Sequence, residues 1–165
     1  MIGTTRLVFG LSLALAGGAA TSANAQLAAH KDLTLPIAVE MAETAVQTCT
    51  ANGNKVSVNV VGRGGEVLVA MRGDGTGPHT MEFARMKAYT ARTRNQTSLQ
   101  TMKLMEDPAN AFIRQIPNVV GVGGGVPIKA GGETIGGVGV SGAPGGEKDE
   151  ACANAGLAKV EAALK

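Results

Sequence analysis

From Leu35 onward, apolar residues return every three or four positions, and Ala38, Met41, Ala42, Ala45 and Cys49 fall on one side of a helical wheel. Thr34 stands where a helix cap belongs, Pro36 is tolerated in a first turn, and Asn52-Gly53 supplies a stop. The period then changes to two. Val56, Val58 and Val60 alternate with polar residues between Lys55 and Val61, Gly62-Arg-Gly-Gly65 is a turn, and Glu66 to Met71 returns as the second strand of a hairpin. The loop Arg72-Gly-Asp-Gly-Thr-Gly-Pro78 leads into a helix over His79 to Arg94, with Ala84, Ala88 and Ala91 as a small-residue seam. Thr97-Ser-Leu-Gln100 has capping-box spacing and predicts another helix to Glu106, which Asp107-Pro108 ends. A short helical turn is expected over Asn110 to Gln115.

The last third is glycine-dense. Val119 to Lys129 and Glu133 to Ser141 read as two strands around an Ala130-Gly-Gly132 turn, and Gly146 to Lys165 as an alanine-rich amphipathic helix. Two hairpins imply antiparallel pairing. The expected fold is therefore a single α+β domain over residues 34–165, a central antiparallel sheet flanked by helices. Residues 26–33 form a mobile tail ahead of it.

The first residues belong to a different class. Arg6 is a positive n-region, Leu7 to Ala16 an apolar stretch too short to span a bilayer, and Ala23-Asn-Ala25 a small-residue cleavage site. This reads as a bacterial signal peptide over residues 1–25, so the processed protein is expected in the periplasm or outside the cell. The chain carries 15 Lys and Arg against 13 Asp and Glu. Arg6 is the only charge in the removed segment, which leaves the rest close to neutral, with no nucleic-acid footprint. No later apolar run is long enough for a membrane span. Cys49 and Cys152 are the only cysteines. In an oxidising compartment they either pair, clipping the first helix to the last, or stay as two buried thiols; their spacing suits neither a redox dithiol nor covalent haem attachment. Beyond the signal the aromatics are Phe83, Tyr89 and Phe112, so the core must be aliphatic and aromatic stacking cannot be the main grip on a ligand.

Two short motifs invite functional readings that fail. Arg72-Gly73-Asp74 matches an adhesion tripeptide but is better explained as turn chemistry. Gly137, Gly139 and Gly142 match the spacing G-x-G-x-x-G, yet a dinucleotide site needs a second parallel strand after the following helix, and only the final helix follows here. That helix opens with Glu147, Asp149 and Glu150, which complement its dipole and would repel phosphate. The glycines instead suit close approach of a packed helix or subunit. No Gly-x-Ser-x-Gly elbow, His-Glu-x-x-His run or paired carboxylates mark an enzyme.

Several stretches stand together in a known order: Val58-Asn-Val-Val-Gly-Arg-Gly-Gly-Glu-Val-Leu68, Arg72-Gly-Asp-Gly-Thr-Gly-Pro78, Lys87-Ala-Tyr-Thr-Ala91, Gly124-Gly-Val-Pro-Ile, and Gly139-Val-Ser-Gly-Ala-Pro-Gly-Gly-Glu-Lys-Asp-Glu150. Over nearly the whole processed length the chain resembles the GlcG/HbpS-like haem-binding family, also called haem-degrading or PduO C-terminal-like, and its exported HbpS-type members in particular. Gly62 departs from the pattern, since many relatives carry Asp there. The resemblance implies a profilin-like fold and homo-oligomers. It also implies links to haem or corrinoid binding, to haem breakdown, or to an extracytoplasmic sensor kinase.

Haem needs an axial donor for its iron and cations for its propionates. The histidines are His30, in the tail, and His79, at a helix start; each is a candidate ligand or a solvated side chain. The resemblance places a threonine near the axial position, and it falls on Thr97, which the capping box also claims as a helix cap. Arg85, Lys87, Arg92, Arg94 and Lys103 could neutralise propionates or form a solvated basic face. Met81, Met86, Met102 and Met105 suit packing. The expected function is weak, reversible haem or tetrapyrrole binding for sequestration, protection or redox sensing. A cofactor-free oligomeric module docking on a sensor or transport partner is the alternative, and a haem-degrading or small-molecule enzyme the third reading.

Overall fold

A computed structural model describes residues 27–165, and the expected signal peptide lies outside them. The element order is α1 (Leu35–Ala51), β1 (Ser57–Val61), β2 (Val67–Arg72), α2 (Thr80–Arg94), α3 (Ser98–Leu104), a 3-10 helix (Pro108–Gln115), β3 (Gly125–Ala130), β4 (Glu133–Ser141), α4 (Gly146–Val160) and a closing 3-10 turn (Glu161–Leu164). The four strands form one sheet in the order β2-β1-β4-β3, and every neighbouring pair is antiparallel. This is the α+β, helix-flanked antiparallel sheet expected from the two hairpins.

Register divides the sheet into two faces of unlike chemistry. Val60, Val138 and Val126 stand opposite one another across three strands, as do Asn59, Gly139 and Gly125 one residue along. The valine rows face α1 and α4, whose apolar sides supply Ala38, Met41, Ala42, Ala45 and Ala153 to the main core. The predicted stripe of α1 is buried throughout. Cys49 and Cys152 are joined, with Cα atoms 5.6 Å apart across 103 residues of sequence, and so tie α1 to α4 inside that core.

The glycine row faces α2. A methyl added at Gly139 would overlap Ala84 O and Ala88 N, one at Gly137 would overlap Ala88 O, and one at Gly125 would overlap Lys87 O. The helix thus rests on sheet backbone, its Ala84, Ala88 and Ala91 seam fully buried. That cover explains why Ser57 and Asn59, polar members of an alternating strand, are buried rather than wet. Ser57 Oγ bonds the Thr80 hydroxyl at 2.8 Å, and Asn59 Nδ2 donates to Met81 O at 2.9 Å.

The third strand and the last helix depart from the sequence reading. The third strand starts at Gly125, not Val119, because Asn118 (φ 65°) and Gly124 (φ 119°) break the extended path. The intervening chain is held by α2 instead, with Val120 N–H donating to Thr90 Oγ1 at 2.9 Å. The last helix tightens after Val160, which turns Leu164 into the core. Ahead of α1, the Arg63 guanidinium donates to Lys31 O, Asp32 and Glu133, tying that segment to the β3–β4 turn. Hydrogen bonding from Arg63 holds the Glu133 carboxyl below its usual range.

Gly139→Val should cost stability beyond the ~1–3 kcal/mol of ordinary overpacking, because rigid backbone on α2 cannot step aside. Thermal melts followed by circular dichroism check this; an unchanged melting temperature would show that α2 is not seated on the sheet.

Candidate functional site

β3 is an edge strand, and its free edge forms the base of an open groove of about 820 Å³. Pro127 suits such a position because it has no N–H to leave unpaired. One wall is the turn from α2 into α3, with Asn95, Gln96, Thr97 and Gln100; the other is α4, with Asn154, Leu157 and Ala158. Val126, Pro127, Leu157 and Leu164 make the surface largely apolar, while Lys129, Glu161 and Lys165 bring the charges. A register shift between Ile128 and Lys129 marks the strand just where the lysine enters the groove.

Thr97 is fixed by its own helix. Gln100 N–H donates to Thr97 Oγ1 at 3.1 Å, and Thr97 N–H donates to Gln100 Oε1 at 2.9 Å, the reciprocal pair of a capping box. One step on, Ser98 Oγ accepts from Gly125 N–H at 2.7 Å and pins the start of α3 to the start of β3. Thr97 is therefore both a cap and a groove residue.

The other sequence candidates are dispersed. His79 is exposed, edge-on to Phe83 with ring centroids 6.0 Å apart. It precedes α2, whose 15 residues put about 22 Å between it and the Thr97 end. His30 is exposed on the segment before α1 and does not line the groove. Arg85 is engaged by Glu82 and by Asn118 Oδ1, and that pairing holds the Glu82 carboxyl below its usual range. Arg92 Nε donates to Arg63 O at 2.6 Å. Arg94 has a buried Nε without a partner and lies outside the groove lining, as does the exposed Lys103. The cations that do reach the groove, Lys129 and Lys165, escaped the sequence reading. The Pro127-Ile-Lys129 spacing carried a signal for the first, since proline marks an edge and residues two apart share a face.

Lys87 is a correction. Far from a solvated basic face, it is 2% exposed, and its ammonium donates to Asp149 Oδ2 at 2.7 Å and to Val140 O at 3.0 Å. Asp149 in turn accepts from Ala143 N–H at 2.9 Å. It is thus no exposed dipole charge but half of a buried ion pair linking α2 to α4. Burial pushes the Asp149 carboxyl up, and Lys87 and the Ala143 and Gly142 N–H groups pull it back only in part. Gly124 lies over this pair, where any side chain would collide with Asp149 and crowd the Lys87 ammonium.

A family model described as haem-degrading HbpS-like matches residues 33–158. The chain belongs to the HbpS-like family. The crystal structure of HbpS is 39% identical, with a TM-score of 0.78 over 81% of this chain and 93% of that one. An uncharacterized 15.0 kDa protein from the dhaT-dhaS intergenic region of Citrobacter freundii is 31% identical over 113 residues, covering 67% of this chain and 80% of its own. PduOC, solved as a haem complex, shares the fold: at 24% identity its TM-score is 0.69 over 77% of this HbpS-like chain and 94% of its own.

Lys87→Met should destabilise by ~3–5 kcal/mol, the cost of leaving a buried carboxylate unpaired. Adding Asp149→Leu to it should recover most of that loss in denaturant unfolding; a double variant no better than the single would refute the pairing. Thr97→Ala should cost ~1 kcal/mol through the cap alone, read in the same unfolding experiment.

Proposed function

We propose that the protein is an exported haem-binding protein that takes up haem, or a related tetrapyrrole, weakly and reversibly in the β3-edge groove. Its service would be sequestration, protection or redox sensing. One observation carries the reading: the one side-chain hydroxyl of the lining, Thr97, stands in a groove with an apolar floor that also presents Lys129 and Lys165. The family description concerns haem, and the groove volume lies within the ~300–1,000 Å³ usual for small-molecule sites.

The residues fit haem loosely. Val126, Pro127, Leu157 and Leu164 suit a flat apolar ring, and the two lysines suit its propionates. No His, Met, Cys or Tyr lines the groove, so the strong axial donors of permanent haem proteins are missing there. A neutral hydroxyl already accepting one hydrogen bond is a weak ligand, which favours exchange over retention. When bound, haem would supply the redox chemistry of its iron. With Glu161 as the one carboxylate of the lining, binding is better supported than turnover.

Assembly into homo-oligomers belongs to the same proposal. Phe83, Leu104, Phe112 and Val122 are exposed on α2, α3 and the chain that follows, away from the groove lining.

Hemin titration tests the site. Wild type should give a saturable Soret shift. Thr97→Asn preserves the helix cap but removes the hydroxyl, and should weaken binding about tenfold, as should Lys129→Ala; that corresponds to ~1.4 kcal/mol each. A spectrum no different from non-specific adsorption would sink the proposal.

A further inference from the structure

Where the chain keeps its strong iron donors decides which part of a tetrapyrrole the β3-edge groove can read. Among the described residues, each is placed elsewhere. Cys49 and Cys152 are joined in their disulfide, and Met41 is buried in the main core. Met71 packs against that core, and Met81 Sδ accepts from Asn59 Nδ2 at 3.2 Å. Met102 and Met105 line a separate cavity of about 370 Å³ with Phe83 and Arg114, and Tyr89 packs against the small core around Met105 and Ile113. Met86, His30 and His79 do not belong to the groove lining.

What the groove does hold is the Thr97 hydroxyl, an apolar floor and two ammonium groups. Thr97 Oγ1 already accepts from Gln100 N–H, and a single neutral contact of this kind is worth no more than about tenfold in affinity. Val126, Pro127 and Leu157 meet a ring face whether or not a metal sits at its centre. Lys129 and Lys165 meet carboxylates, which every protoporphyrin carries at its rim. An enclosed, dry pocket would penalise a bare metal charge, but this groove is open, and water can ligate iron from the exposed side. The iron is therefore read weakly, the ring and its carboxylates strongly.

We propose that the groove is a site for protoporphyrin dicarboxylates in general, with the metal-free ring a ligand in its own right. Thr97 is then the residue that discriminates for the metal, and Lys129 a residue that discriminates for the carboxylate rim. A sequestering protein of this kind takes up a porphyrin with or without its iron. The inference deepens the haem reading above and rests on it, because it takes the groove to hold a tetrapyrrole.

The test follows hemin by its Soret shift and metal-free protoporphyrin IX by its fluorescence, on wild type, Thr97→Asn and Lys129→Ala. In wild type both should saturate, with affinities within about tenfold of one another, and hemin should displace protoporphyrin. Thr97→Asn keeps the cap and should weaken hemin about tenfold while leaving protoporphyrin unchanged, so that the two ligands bind alike. Lys129 is exposed, so Lys129→Ala should keep the fold and weaken both ligands by the same factor. Protoporphyrin dimethyl ester, which lacks the carboxylates, should bind wild type more weakly than the acid does. That gap should narrow in Lys129→Ala, the coupling that a double-mutant cycle reads. Hemin tighter than protoporphyrin by clearly more than the tenfold would overturn the proposal and leave the haem site standing. An ester as tight as the acid would overturn it too. If neither hemin nor protoporphyrin saturates, the tetrapyrrole reading falls and this inference falls with it.

Discussion

Helix α2 meets the sheet backbone to backbone, and most of what is particular to this fold follows from that contact. Gly125, Gly137 and Gly139 supply a face with no side chains, and Ala84 and Ala88 supply a helix with almost none. Packing at that distance leaves no space for a conventional hydrophobic layer. The face is sealed instead by specific bonds, from Thr80 to Ser57 and from Asn59 to Met81. The opposite face is the converse, an apolar layer of valines and alanines whose α1 and α4 are tied by a disulfide. The domain therefore has one side defined by shape and hydrogen bonds and another defined by apolar burial.

The close seating also explains the buried charge. A helix drawn onto the sheet carries Lys87 with it below the surface, where an ammonium must be met by an opposite charge and by acceptors. Asp149 and Val140 O meet it, and Asp149 additionally holds the turn into α4 through Ala143 N–H. The glycine-rich connections around Gly124 and Gly142 thus build the walls of an ion pair rather than a phosphate cradle. Through that pair the two helical layers are locked across the end of the sheet.

The groove is where those layers leave the sheet uncovered. α2 ends beside β3, α3 starts on it through Ser98, and α4 runs down the other flank, so the edge strand is framed but not paired. Such an edge offers apolar side chains and a few polar groups, with no enclosed cavity in which a ligand could be trapped. A site of this kind suits exchange. Thr97 is held by its capping box with Gln100, so its orientation is set by the fold before any ligand arrives.

Much of the architecture was legible along the chain because it is local. The α1 stripe, the two hairpins, the capping box at Thr97 and the alanine seam of α2 each follow from spacing and turn chemistry within a dozen or so residues. The α+β class and the family motifs follow from their order. What spacing could not show was which polar residues the third dimension would bury. Ser57 and Asn59 have the pattern of a wet face, and Lys87 that of a basic helix surface; all three are buried only because α2 comes down on the glycines of strands far away in sequence. The groove was hidden for the same reason. Thr97, Lys129 and Lys165 belong to separate parts of the chain, and only sheet order, which makes β3 an edge and sets α4 along it, brings them into one place. Local sequence determined the elements and the cap on Thr97; long-range packing decided which charges are buried, whether the cysteines meet, and where a ligand could be held.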